Sequence, residues 1–289
     1  MISITLRQIE IFLAVSHCMS MSKAAEELNL TQSAVSMAIN ELEKYISARL
    51  FDRSGKKLFL NEKGRALIPK AVAIYDMAKE IESSKWHGSI KISASSTIGN
   101  YILPSKLGEY IKKYPENPIS LSVKNTDDVV NEILHFQADV GFIEGPCTNN
   151  QIDMKLYSKD RLFVFCASTN PLACEKNVTV EMLMNYRWIL REKGSGTREV
   201  VEKALSDIFV HLNIYMELGH SEAIKNAVLA DIGISCLSEV VLKNYIDSGL
   251  LKPVNTNLNP IVRNLYIIKH KDKYVSDTLR NFLNFIKRG

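Results

Sequence analysis

The 289-residue sequence predicts an α+β multidomain chain, on three observations. Residues 5–50 carry helical periodicity broken by short polar segments, residues 62–84 hold one unbroken apolar seam, and strand-like and helix-like segments alternate from residue 89 onward. The predicted domains are residues 1–61, three helices and a hairpin; 62–87, a linker helix; and 88–289, a two-lobed α/β domain. Lobe I takes about 88–161 and 266–289, and lobe II about 162–265. A hydrophobic share of 46% with 24% charged residues excludes a disordered or fibrous chain. The net charge of +4 is compatible with nucleic acid as a partner and does not require one.

Residues 5–18 place Ile9, Phe12, Leu13 and Ser16 on one side of a first helix. Ser20 or Ser22 can cap a second helix over Lys23–Leu28, Asn29-Leu30 breaks it, and Thr31 caps a third from Gln32 to about Ile46. Two short helices around a tight turn make a helix-turn-helix. On the third helix Val35, Ala38, Ile39, Leu42, Tyr45 and Ile46 recur at three- and four-residue spacing and are assigned to a core. Thr31, Gln32, Ser33, Ser36, Met37 and Asn40 remain outside. Amides there can bond adenine edges bidentately, and a helix N-terminus favours phosphate. The alternative, for any amphipathic helix, is a merely solvated face.

The next segment weighs toward DNA. Arg49 to Leu60 alternates around Ser54-Gly55, as a β-hairpin does, and from Arg49 to Lys70 seven basic residues stand against two acidic ones. A basic hairpin beside a polar helix fits a wing on the phosphate backbone, with Arg53, Lys56 and Lys57 as its contacts. The stretch from Leu6 to Leu67 resembles the N-terminal winged helix-turn-helix of LysR-type transcriptional regulators. The match runs through Phe12, Ala24-Ala25, Leu28, Gln32, Ala34-Val35-Ser36, Leu42-Glu43, Leu50-Phe51, Arg53 and Gly64. Ser33 and Met37 depart from it: many members carry Pro and Arg there, so Met37 implies the loss of one charged DNA contact.

Asn61 can cap a long helix from Glu62 to about Ser84, in which Leu67, Ala71, Ile74, Ala78 and Ile81 form a coiled-coil seam. Ile68, Tyr75 and Met77 broaden the stripe, as packing on the helix's own domain would require, and Pro69 is expected to bend it. The resemblance implies that this helix pairs two chains, as a homodimer or within a homotetramer. Two paired wings would read an interrupted palindrome in double-stranded DNA, and RNA polymerase becomes a further partner.

Residues 83–88, SSKWHG, mark a break. Strands are predicted at Ser89–Ser95, Ile119–Lys124, Ala138–Ile143, Leu162–Ala167 and Ile261–His270. Helices are predicted in the stretch up to Tyr114, over Thr126–Gln137, and near 197–208, 221–230 and 238–248, giving a mostly parallel sheet. In such folds ligands sit at strand ends, where helix N-termini present free N–H groups. Ser95-Ser96-Thr97, Ser195-Gly196-Thr197 and His220-Ser221 occupy such places and together describe a cradle for a small oxyanion; each alone could be an ordinary cap. Arg198, in a first helical turn, needs an anion or an ion pair with Glu202. Glu144 would repel a fully ionised ligand unless it is protonated, or accepts a proton from the ligand or from a neighbouring donor, so a mono-protonated oxyanion fits better.

Residues 88–289 resemble the periplasmic-binding-protein-like effector domain of the same family. Within it SSTIGNYILP, VGFIEGPC, WILREKGSGTRE, MELGHSEAIK and GISCLS are similar to the YeiE-like group. The resemblance implies sulfite as effector and no cofactor. The residues themselves leave sulfite, sulfate, phosphate and small carboxylates open. Asp231 stands where the family more often has Gly, tolerable if the turn needs positive φ.

No G-x-S-x-G elbow, phosphate-binding loop or His-x-x-x-His spacing is present, which speaks against an enzyme and leaves no predicted catalytic or metal-binding residue. Thiol oxidation at Cys147 or Cys236 is the rival signal. Five scattered cysteines suit a reducing compartment. Arg7 and Glu10 interrupt any secretory core, and no apolar run reaches the ~18 residues of a membrane span. The expectation is a cytoplasmic protein without membrane contact, not an exported solute-binding protein.

Overall fold

In a computed structural model, which describes residues 3–54, 57–82 and 89–287, Thr5 opens the first helix through a reciprocal cap. Its hydroxyl accepts from the Gln8 backbone N–H while the Gln8 side chain accepts from the Thr5 N–H. Helix α1 (Leu6–Cys18) ends at Met19, held at φ +46. Ser20 caps α2 (Met21–Glu27), and Thr31 caps α3 (Gln32–Tyr45). Strands β1 (Phe51–Ser54) and β2 (Lys57–Leu60) form the antiparallel hairpin, and α4 (Glu62–Glu82) follows. Asn61 is the cap expected of it, accepting from the Gly64 N–H at 2.9 Å.

The chain divides into two compact units: residues 1–90, 116–118 and 270–285, and residues 91–115, 119–269 and 286–289. In the first, Phe12, Val15, Ala24, Val35, Leu42 and Leu50 are fully buried, and the Phe12 and Phe51 rings meet at 5.8 Å. Glu43 ties α3 to the hairpin by accepting from the Leu50 N–H at 2.7 Å. Gly64 is required by close approach, since a Cβ would lie 2.3 Å from the Leu50 carbonyl oxygen. One core assignment fails: Tyr45 is 50% exposed, because α3 ends there and its last turn runs past the packed helices. On α4, Ile68 and Ala71 are buried whereas Ile74, Met77 and Ile81 are exposed.

The second unit contains β3 (Ile90–Ser95, beginning at the junction), α5 (Leu103–Lys113), β4 (Ile119–Lys124), α6 (Thr126–Leu134) and β5 (Val140–Glu144). Then come β6 (Ile152–Ala167), α7 (Val180–Met184), β7 (Arg187–Arg191), α8 (Gly196–Ala204) and β8 (Asn213–Leu218). Next are α9 (Ser221–Leu229), β9 (Ser235–Ser238), α10 (Glu239–Asp247), β10 (Leu251–Pro253) and β11 (Ile261–His270). A final helix, α11 (Asp277–Lys287), falls mostly in the first unit. The main sheet has the order β10-β6-β11-β5-β3-β4, with β9 also on β6; β7 and β8 pair separately.

The sheet departs from the mostly parallel one expected. β3–β5 and β7–β8 are parallel, but β11–β5, β6–β9 and β10–β6 are antiparallel. The 16-residue β6 and the 10-residue β11 carry the chain back against the βα direction, so their neighbours oppose them. Separate apolar clusters form around Val129, Ile133 and Ile268, around Trp188 and Leu190, and around Ile224 and Leu242. Asp231 does adopt positive φ (+53), and the Asn170 amide donates to its carboxylate at 2.7 Å.

Phe12→Ala should lower the unfolding free energy of the first unit by about 3–5 kcal/mol in guanidinium titration, as a large ring is lost from a closed core.

Candidate functional site

The polar face of α3 stands as the spacing implied. Gln32, Ser33, Met37 and Asn40 are exposed and Ser36 half-buried, and with Glu41 and Lys44 they line one open concavity. Thr31 is committed to its cap: its hydroxyl accepts from the Ala34 N–H at 3.2 Å and lies 3.0 Å from the Ser33 hydroxyl. On the hairpin Arg53 is paired in register with Leu58, and Lys57 with Ser54; Lys56 lies outside the described residues.

In the second unit the strand ends converge on a buried carboxylate. Glu144, the last residue of β5, accepts from the Ser95 hydroxyl at 3.0 Å, the Thr97 N–H at 2.9 Å and the Thr197 hydroxyl at 2.8 Å. Its fourth partner is Arg263 Nη1. Arg263 also donates to Asp160 through Nε at 2.8 Å, to the Thr197 hydroxyl at 2.8 Å and to the Thr97 hydroxyl at 3.1 Å. Ser238 donates to Asp160 at 2.7 Å. Burial alone would push the Glu144 carboxyl up, but the Arg263 guanidinium and the hydrogen bonds from Thr197 and Thr97 outweigh it and hold it at about 2. The group is ionised and its acceptor capacity is filled. Of the alternatives expected for Glu144, neighbouring donors are what the structure places on it, and they leave no lone pair to take a proton from a ligand.

Ser95, Thr97, Glu144 and Thr197 thus meet in one network. Gly196 seals it, since a Cβ there would lie 2.2 Å from the Glu144 carbonyl oxygen. Ser195 stands at the N-cap of α8, buried, without a side-chain cap. Arg198 pairs with Glu202 at 2.6 Å, as its place in the first turn required. Ser96 is joined through Arg191, whose Nη2 reaches its hydroxyl at 3.4 Å. His220 is exposed at the head of α9, and the buried Ser221 hydroxyl next to it has no partner among the described residues.

Spare donors are found elsewhere than the sequence suggested. Arg191, at the end of β7, is 3% exposed and holds Glu192 with Nε at 2.7 Å and Nη2 at 2.8 Å, while its Nη1 is buried with no partner among the described residues. The Thr126 hydroxyl is likewise buried and unpartnered, 2.8 Å from where a Gly196 Cβ would stand. Arg191, Arg263, Asp160 and Thr126 are absent from the predicted cradle. Two of them had a signal: Arg263 shares the alternate positions of Ile261, Leu265 and Ile267, and Asp160 those of Leu162, Val164 and Cys166, so each is a charge written into an inward-facing set.

Residues 83–289 match the LysR substrate binding domain, and residues 6–65 match the bacterial regulatory helix-turn-helix protein, lysR family. The chain belongs to the LysR family of transcriptional regulators. A similar LysR protein is the uncharacterized HTH-type transcriptional regulator YeiE of Escherichia coli (strain K12), 47% identical over 284 residues, which are 98% of this chain and 97% of that one. Among solved LysR structures, the regulatory domain of CcmR from Synechocystis PCC6803, in complex with 2-PG, has TM-score 0.65 and 29% identity over 70% of this chain and 97% of that one. Full-length CbnR complexed with its target DNA has TM-score 0.58 and 18% identity over 98% and 99%, a likeness of fold. The LysR relatives are DNA-binding regulators carrying an effector-binding domain, not enzymes. Among the described residues no helix is long and apolar enough to cross a membrane.

Glu144 has its carboxyl held below the ordinary 4.5, so its ion pair contributes stability above that value and loses it as pH falls toward about 2. Urea titrations between pH 5 and pH 2 (about the span of those two values) should show that loss in the wild type. Glu144→Gln should be less stable near neutrality by roughly 3–5 kcal/mol, from a buried guanidinium left short of charge, and its acid dependence should be shallower.

Proposed function

We propose that this LysR-family regulator senses a small oxyanion, sulfite, in its second unit and reads DNA with the outer face of α3. The observation that carries the effector site is the unpartnered Nη1 of buried Arg191, beside Ser96 and at the strand end that leads into α8. A buried N–H of a guanidinium left without an acceptor costs free energy, and a bound anion removes that cost. Ser96 and Ser195, with the hydroxyls of Thr126 and Ser221 that have no partner among the described residues, are donors of the right kind to complete such a site, with the exposed His220 beside Ser221. Ser95, Thr97, Thr197, Gly196 and Glu144 serve as its wall and not its ligands, because Glu144 takes the Ser95, Thr97 and Thr197 donors and Gly196 closes against its carbonyl oxygen. That a LysR regulatory domain 29% identical takes 2-PG supports a small-molecule effector here.

The choice of sulfite rests on the similarity to YeiE-like sequences. Sulfate, phosphate and small carboxylates are the competitors. Thiol oxidation is less favoured at Cys236, whose thiol burial pushes up to about 12, far from a reactive thiolate. In the proposed assembly Ile74, Met77 and Ile81, exposed on α4, pair two chains, and the wings lie across an interrupted palindrome. The domain division proposed is 1–61, 62–87 and 88–289. Sulfite acts by binding two such assemblies with different affinity, the condition for any ligand to shift an equilibrium.

Calorimetry on the full chain should show binding of sulfite tighter than of sulfate or acetate. Arg191→Ala should weaken it by about 1.5–3 kcal/mol while ligand-free DNA retardation is unchanged. Equal binding of all three anions, or no change in Arg191→Ala, would remove the assignment. Gln32→Ala should instead weaken operator DNA binding by about 1–3 kcal/mol and leave the calorimetric trace intact.

A further inference from the structure

Away from both sites, three groups with metal-binding chemistry meet where α1 gives way to α2. His17 and Cys18 are the last two residues of α1, and Glu27 is the last of α2. One ligand atom from each lies within 4.8 Å of the others, and Cys18 Sγ is 3.1 Å from Glu27 Oε2. Around a tetrahedral zinc ion, with bonds of about 2.0–2.3 Å, ligand atoms stand roughly 3.5 Å apart. One pair is already inside that spacing, and the exposed His17 and Glu27 side chains have only a small distance to close. Imidazole, thiolate and carboxylate form a set suited to a borderline-soft divalent ion. The carbonyl end of α1 also favours a cation over an anion. Lys23 is the nearby opposing charge, and thiolate with carboxylate outnumbers it two to one.

We infer that His17, Cys18 and Glu27 form a three-ligand site for a thiophilic divalent cation, of which zinc is the type, on the DNA-binding unit. Without the ion, the Cys18 thiol donates to Glu27. On binding, that proton passes to solvent, sulfur and carboxylate turn to the metal, and a water fills the fourth position. The ion joins the end of α1 to the end of α2, the helix pair on which α3 is mounted. Sequence spacing conceals the set, because ligands at 17, 18 and 27 match no familiar motif and depend on the turn between the helices.

Cobalt(II) is the probe, titrated into the full chain and followed by its ultraviolet thiolate-to-cobalt charge-transfer band, with zinc added afterwards. The expected result is a 1:1 band that zinc abolishes, that is absent in Cys18→Ser and that persists in Cys174→Ser, which removes an exposed thiol elsewhere. Glu27→Gln and His17→Ala should each weaken cobalt by about tenfold or more, with the fold checked by circular dichroism. No band in the wild type, a band surviving in Cys18→Ser, or unaltered affinity in His17→Ala would overturn the site. Sulfite binding and the Arg191→Ala response are read separately, so either outcome leaves the effector assignment standing on its own data.

Discussion

Arg263 is the constraint around which the second unit is organised. A guanidinium this deeply buried is tolerable only if counter-charges and acceptors surround it, and it draws them from three strands adjacent in the sheet, β6, β11 and β5, and from two segments that open helices. Asp160 and Glu144 hold its two sides, while Thr97 and Thr197 accept its remaining N–H groups. Because the strands bearing these groups are neighbours in one sheet, one ion cluster fixes their register relative to the helix starts. Hydrophobic burial alone would leave that register less defined, since slipping a strand by two residues keeps its apolar face inward.

The same cluster sets the electrostatics of the proposed pocket. Two carboxylates against one guanidinium leave a net negative charge, which the N–H group of Thr97, the Thr197 hydroxyl and the N-terminus of α8 partly offset. An anionic effector placed beside it needs a cation of its own. In the proposed site that cation is Arg191, drawn from a different strand, with Nε and Nη2 on Glu192 and Nη1 left for the effector.

Much of this was legible in the sequence, in places where local pattern determines structure. The caps at Ser20, Thr31 and Asn61, the hairpin at 51–60 and the outward set on α3 follow from spacing and cap chemistry. Residues 95–97 and 197 are placed at one site because strand ends and helix starts coincide there, and Ser95, Thr97 and Thr197 do share Glu144, whereas Ser96 meets Arg191 instead. What spacing could not give was the partner of each group. A hydroxyl at a helix start reads the same whether it awaits a ligand or is held by a carboxylate from a strand about fifty residues away in sequence, as Thr97 and Thr197 are. The antiparallel pairings were hidden for a similar reason, since the crossings of β6 and β11 are long-range events.

The saturation of Glu144 also bears on which oxyanion the pocket can prefer. With all four acceptor directions of its carboxylate filled, it can neither take a proton from a ligand nor donate one, so it offers a protonated anion no hydrogen bond that a bare anion lacks. Selectivity then falls to Arg191 and the free hydroxyls. The Nε and Nη2 edge of Arg191 is occupied by Glu192, which leaves the N–H groups of Nη1 and denies the effector a fork-to-fork pairing on that edge. A planar carboxylate gains most from such a fork and is penalised by its loss. In the proposed site a compact pyramidal or tetrahedral oxyanion, whose oxygens diverge, can instead meet one guanidinium nitrogen and separate hydroxyls at once.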